Sequence, residues 1–432
     1  MRLLLQHAVV AGETLDGVLV EITDGRFTAV TAGAEDPNVE TVPGLALPGF
    51  ANAHSHAFHR ALRGRTQRTG TFWSWRNEMY RLAERLDPDR LHELAVATYT
   101  EMLCAGITTV GEFHYLHHGP GGVRYDDPNA MGQALIEAAA VVGIRITLLD
   151  TCYLTAGIGR PAEGVQLRFS DGDAESWAQR LGRLRSTDTA RIGAALHSVR
   201  AVPRDQMGTV VRAARGMPLH VHLSEQVAEN DEALVAWGLT PTEVLASAGA
   251  LGPQSTLVHG THLTSDDVGM LGRADTFVCF CPTTERDLGD GIGPGRELAA
   301  AGVRMALGTD SHAVIDMFEE MRGLEMNERL ATQRRGLWRP AELLAAATAH
   351  SQASLGFDDA GEIAVGARAD LVIIDPASPR TAGSGKDLAG GVFAATGADV
   401  AAVMVDGRWH DIPAVRDGLG ARLDGAIERA WA

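Results

Sequence analysis

Short apolar runs rich in β-branched residues alternate along this chain with longer segments rich in Ala, Leu, Glu and Arg. Between Gly49 and Ser311 eight such runs occur: GFANAHSH, GITTVGEF, RITLLDTC, RIGAALHS, PLHVHLSE, STLVHGTH, TFVCFCPTTE and VRMALGTDS. Segments such as DPDRLHELAVATYTEMLCAG and NDEALVAWGLTPTEVLASAG lie between them and read as helices. Near-continuous apolar strands alternating with helices predict a parallel sheet covered on its outer face. Eight units in roughly 250 residues is the count of a (β/α)8 TIM-type barrel. The barrel is placed at residues 47–358.

The flanks follow another pattern. Residues 1–46 carry short alternating runs, GVLVEITDGRFTAVTAG among them, with a D-G turn that predicts a hairpin. The tail repeats strand–turn–strand in GEIAVGARADLVIIDP and VAAVMVDGRWH. Together, 1–46 and 359–432 are read as one small β-sandwich domain built from both ends of the chain. PASPRTAGSGKDLAGG is a surface loop by composition.

Composition narrows the classes of function. At 432 residues the chain exceeds one compact core of ordinary size, unless that core is a barrel. Hydrophobic residues at 45% and charged residues at 22% describe an ordinary globular protein. A formal net charge of −17 argues against a nucleic-acid or anionic-membrane surface. It does not forbid an anionic substrate, because local arginines override a distant field. MRLLLQHAVVAGETLDG lacks the apolar core of a signal peptide, and no segment reads as a membrane span. Cys104, Cys152, Cys279 and Cys281 form no disulfide framework, so a reduced, cytoplasmic protein is expected.

The chemistry gathers where a barrel would use it. The polar residues of the eight runs lie at their carboxyl ends: His54 and His56, Glu112, Asp150, His197, His222 and Glu225, His259, and Asp310. Active sites of this fold sit at that face. His54 and His56 alternate in a strand and so share a face. With His222 and Asp310 they make three imidazoles and a carboxylate, a set suited to one zinc ion with a water in the open position. His220 precedes His222 on the same face and reads as a packed imidazole or one behind the ligands. His262 and His312 read as solvated or behind the ligands, Glu112 and Asp150 as packing or support, and Cys279 and Cys281 as buried thiols. HYLHHGP and FWSWRNEMY are expected in loops after strands, where substrate walls are built.

The HxH after the first strand, the His and Glu of HLSE, the His of VHG and the Asp of GTDS together resemble the amidohydrolase superfamily, over essentially the whole chain. Many members bridge two metals with a carbamylated lysine. Here the only lysine is Lys386, beyond the barrel, so the resemblance implies the single-metal, deaminase-like branch. Finer motifs (HSHAFHRALRG, FWSWRNEMY, GEFHYLHH, ALHSVRAV, HLSEQ and CPTTERDLGDGI) resemble the N-formimino-L-glutamate deiminases of histidine breakdown. That resemblance implies a zinc-dependent homodimer, with one zinc per chain, hydrolysing a small dicarboxylate to N-formyl-L-glutamate and ammonia. In the implied chemistry Asp310 takes the proton of the attacking water, Glu225 carries a proton to the departing nitrogen, and His259 orients the nucleophile or stabilises charge. Arg200, three residues after His197, and Arg76 would read the two carboxylates, with His59, Tyr115 and His197 beside them. Many family members have Gln where this chain has His59, so altered affinity is expected at conserved chemistry.

Two other readings remain. A related deaminase acting on a purine, pyrimidine or other ring would want stacking aromatics and amide-reading groups in place of arginines. A metal-free relative that keeps the barrel for binding or assembly should have lost ligands, and none is missing.

Overall fold

The structure is a computed structural model describing residues 1–67 and 71–432. The eight apolar runs are eight parallel strands: Phe50–Ser55, Ile107–His114, Arg145–Cys152, Ala190–Leu196, Leu219–Leu223, Ser255–His259, Phe277–Phe280 and Arg304–Leu307. They hydrogen-bond side by side in chain order. A parallel bridge from Ser55 to Asp310 joins the eighth to the first. There the Asp310 amide donates to the His54 carbonyl at 2.9 Å, and the His56 amide to the Asp310 carbonyl at 3.3 Å. The seam of the barrel is therefore made of the residues carrying its chemistry.

Local chemistry explains the helices. Helix Pro88–Cys104 starts with Pro at its first turn and Asp87 accepting from the Arg90 amide at 2.8 Å. It buries Leu91, Leu94, Ala95, Thr98 and Met102, one face at helical spacing. The predicted helix over 230–249 is two helices, Val227–Trp237 and Pro241–Ser247. Gly238, at φ +66°, ends the first, and Pro241 with a Thr240–Glu243 capping box starts the second. FWSWRNEMY, expected in a loop, opens helix Phe72–Ala83 instead, because Thr71 and Ser74 cap its start reciprocally.

The terminal strands hydrogen-bond as a single seven-stranded sheet. Its order is Arg408–Asp411, Val400–Val405, Leu371–Ile374, Thr41–Pro48, Arg2–Val10, Glu13–Thr23, Arg26–Thr31. The D-G turn is Asp24–Gly25, with φ of +49° and +75°, the twist a two-residue hairpin needs. The sheet has its own core around Leu5, Val20, Phe27, Leu371 and Met404. Arg145, at the start of the third barrel strand, pairs with Asp370 and lies 3.0 Å from Asp406, pinning sheet to barrel. Within the segment 359–432, the last helix, Leu419–Trp431, leaves the sheet and packs on helix Pro88–Cys104. There the Trp431 indole donates to the Ala61 carbonyl at 3.0 Å. No helix among the described residues is long and apolar enough to cross a membrane.

Candidate active site and metal centre

Four strand ends converge at the mouth of the barrel. His56 donates from Nδ1 to the Phe113 carbonyl at 2.8 Å, and His222 from Nδ1 to the His197 carbonyl at 2.9 Å. Each ring has spent its proton on the backbone, so each turns an Nε2 lone pair inward. His222 Nε2 lies 3.1 Å from His54 Nε2. Asp310 Oδ1 lies 3.3 Å from Nε2 of both His54 and His56. Burial holds the His54 imidazole down at about 3, against opposing pulls from Asp310. Burial raises the Asp310 carboxyl, but His54 and His56 outweigh it and hold the group well below the usual carboxylate range. The Nε2 lone pairs of His56 and His222 and the Asp310 carboxylate face a common point with His54 beside it, as a cation's ligands would. The donor set fits a divalent borderline metal.

The backbone is strained to make this arrangement. Ser224, His259, Asp310 and His312 have φ of +48°, +71°, +40° and +59°, a region L-residues seldom occupy. Gly308 lets the eighth strand come close: a Cβ there would stand 2.8 Å from both Cβ and the carbonyl oxygen of His54. Glu112 fixes the HxH turn, accepting from Ser55 Oγ at 2.8 Å and the Ala57 amide at 2.7 Å. His312 bridges Ser55 and Thr309 at 3.1 and 2.9 Å, which packs it behind the ligands. His220 is turned away, to the Ser354 carbonyl at 3.0 Å.

Glu225 and His259 stand beside the four. His259 Nε2 is 3.8 Å from Glu225 Oε1 and 4.0 Å from Asp310 Oδ2, and its Nδ1 is 3.4 Å from Glu285 Oε1. Burial lowers the His259 imidazole, yet the surrounding carboxylates, Glu225 first, raise it well above its ordinary value. Burial raises the Glu225 carboxyl. Both shifts favour the protonated form, so the pair is placed to hold and hand over protons.

A cavity of about 710 Å3, counting its solvent-filled mouth, opens onto this cluster. His59, Arg76, Tyr115, His197 and Arg200 all line it. His59 sits in the turn Ala57–Leu62, with Nε2 2.9 Å from the Tyr115 hydroxyl and Nδ1 buried without a partner. Arg200 donates from Nε to Glu229 at 3.0 Å. Arg76 lies over the Trp73 ring, 4.5 Å from its centroid, and 5.4 Å from that of Tyr80. Asp150, by contrast, is bound to Arg180 at 2.7 Å and to the Trp177 indole at 2.9 Å, which makes it a structural anchor.

Comparison with known proteins agrees with this geometry. A family profile described as Amidohydrolase family matches residues 45–410. The chain belongs to the amidohydrolase family. Formimidoylglutamate deiminase of Pseudomonas aeruginosa is 37% identical over 415 residues, covering 92% of this chain and 90% of that protein. 8-Oxoguanine deaminase of the same organism is 31% identical over 427 residues, covering 93% and 91%. A crystal structure of an amidohydrolase from Brucella melitensis superposes with a TM-score of 0.92 at 30% identity, covering 100% of both chains.

Three residues of this amidohydrolase escaped the sequence reading. Glu229 ties Arg200 to the strained turn, its second oxygen accepting from the Ser224 amide at 3.2 Å. Glu285 holds His259, and also accepts from the Cys281 amide at 2.8 Å. Asp290 lies near Glu225 and His259. The latter two fall in CPTTERDLGDGI, which stood out as a motif, but only the folded loop shows which of its acids point inward.

Proposed function

We propose that this chain deaminates N-formimino-L-glutamate hydrolytically, giving N-formyl-L-glutamate and ammonia, with one zinc ion held by His54, His56, His222 and Asp310. The observation that carries this reading is a single cavity lined both by that cluster with Glu225 and by two arginines, Arg76 and Arg200. Held by these four ligands, a zinc ion would act as a Lewis acid and lower the pKa of a bound water toward about 7. Asp310 accepts the proton of the water that attacks the formimino carbon. Glu225 protonates the terminal nitrogen, the bond from that nitrogen to carbon breaks, and ammonia leaves while the water oxygen remains as formyl. His259, charged between its carboxylates, stabilises negative charge that develops at the carbon centre. Arg200, held at Nε by Glu229, keeps its two terminal nitrogens for one substrate carboxylate, and Arg76 takes the other. His59, Tyr115 and His197 complete the donors around them. The 37% identity to a formimidoylglutamate deiminase supports this substrate and reaction. A homodimer is part of the proposal and rests on the resemblance alone.

A ring deaminase is the second reading, favoured by the aromatic side chains of Phe72, Trp75, Tyr80, Tyr153 and Phe169 in the same cavity. Ammonia release on a panel of formimino amino acids and nucleobases separates the two. Turnover is expected on formiminoglutamate alone; turnover confined to a nucleobase would move the ring reading to first place.

A further inference from the structure

Beside Glu225 and His259, the loop after the seventh strand brings in a carboxylate that the chemistry above leaves unused. Asp290 sits between Gly289 and Gly291, whose φ of +72° and +122° turn the chain inward after helix Pro282–Leu288. The residue is 5% exposed. One carboxylate oxygen accepts from the side-chain Nε2 of Gln226, and the other, Oδ2, is buried without any partner. A buried carboxylate oxygen in that state is costly unless it is protonated or coordinated.

Asp290 shares its surroundings with a set of ligands. Glu225, His259 and Asp290 are all buried, and each offers a ligand atom within 4.8 Å of the others. Glu285, at 3.4 Å from His259 Nδ1, adds a third carboxylate. Three acids around one imidazole leave local negative charge that Arg200, itself paired with Glu229, offsets only in part. Burial, with Glu225 close by, pushes the Asp290 carboxyl up to about 9, as expected where a positive charge is wanting.

We propose that Glu225, His259 and Asp290 form a second, weaker divalent-cation site beside the four-ligand centre, and that zinc bound there inhibits by withdrawing Glu225 and His259 from proton transfer. Two carboxylates and an imidazole, completed by water, are an ordinary donor set for zinc. The site is the weaker one because its cation must displace the protons held on Asp290 and His259 and face the repulsion of the first. Binding depends only on these residues. The inhibitory consequence rests on the deamination reading.

Diffraction at the zinc absorption edge from wild-type crystals soaked in excess zinc tests the site. An anomalous peak bounded by Glu225, His259 and Asp290 is expected next to the first. In equilibrium dialysis, wild type should hold one zinc per chain at low free zinc and two at high, and Asp290→Asn one throughout. As the second site fills, ammonia release by wild type should fall at least tenfold, while the variant stays within twofold of its own starting rate. No peak at these residues, or an undiminished second zinc in Asp290→Asn, would overturn the proposal. The wild-type map decides even if the variant fails to fold. A second peak in a protein inactive on formiminoglutamate would keep the site and remove the functional reading.

Discussion

His54 and His222, from the first and fifth barrel strands, bring their Nε2 atoms to 3.1 Å with the His222 proton committed to a backbone carbonyl on the far side of its ring. Two imidazoles held so offer ligand nitrogens to one divalent cation. Purified protein should therefore carry close to one tightly held zinc per chain. Chelation should abolish activity and added zinc restore it. Metal analysis paired with rate decides: two metals per chain at full activity would contradict the single-centre account.

Glu225 lies 3.8 Å from His259 and lines the cavity. Glu225→Gln keeps the shape and removes the titrating group, so kcat should fall by roughly 10²–10⁴-fold with zinc content unchanged. Asp310→Asn should be at least as damaging, since Asp310 touches both His54 and His56. Steady-state kinetics on metal-analysed variants read this, and Glu225→Gln within a few fold of wild type would remove the assignment.

Arg200 and Arg76 should matter to binding. Breaking a buried guanidinium–carboxylate pair costs on the order of 3–5 kcal/mol, and about 1.4 kcal/mol is tenfold in rate. Arg200→Met and Arg76→Met should each lower kcat/KM for formiminoglutamate by roughly a hundredfold or more, with normal zinc content. Analogues lacking one carboxylate should be poor substrates for the wild type. Near-normal efficiency in both variants would remove the dicarboxylate reading.

Away from the metal, His117 links pH to stability. It is fully buried and donates from Nε2 to the Thr151 carbonyl at 2.8 Å, and burial, reinforced by Arg180, holds its imidazole down at about 4. A base whose folded pKa is depressed stabilises the fold fully above its unfolded value of about 6.5, and that stability is lost as pH falls toward 4. Between pH 7.5 and pH 5 this group alone accounts for about 2 kcal/mol. His117→Gln should therefore lose about that much less stability than wild type over the same interval, read by urea denaturation at the two pH values. Equal losses would show that His117 does not carry the dependence.

The eight strands were legible because each is apolar on both faces and ends in a polar residue; His54, His56, His222 and Asp310 announced themselves by that position. The helix at Phe72–Ala83 was hidden because its apolar and aromatic residues resemble a loop wall, and its decisive signal is the Thr71–Ser74 cap. Glu229, Glu285 and Asp290 were hidden for another reason. Acids are common on helix and loop surfaces of this chain, and burial, which separates these three from the rest, is a property of the fold and not of local sequence. His220 and His222 show the same limit: alternation puts both on one face, and only depth in the barrel sends one to Ser354 and the other to the metal cluster.

The most direct test is to run zinc-loaded enzyme on N-formimino-L-glutamate in 18O-labelled water and identify the products by mass spectrometry. Hydrolytic deamination at the formimino carbon predicts one ammonia per turnover and N-formyl-L-glutamate carrying a single 18O in its formyl group. Glutamate and formamide in place of those products, or no turnover with the metal site filled, would contradict it.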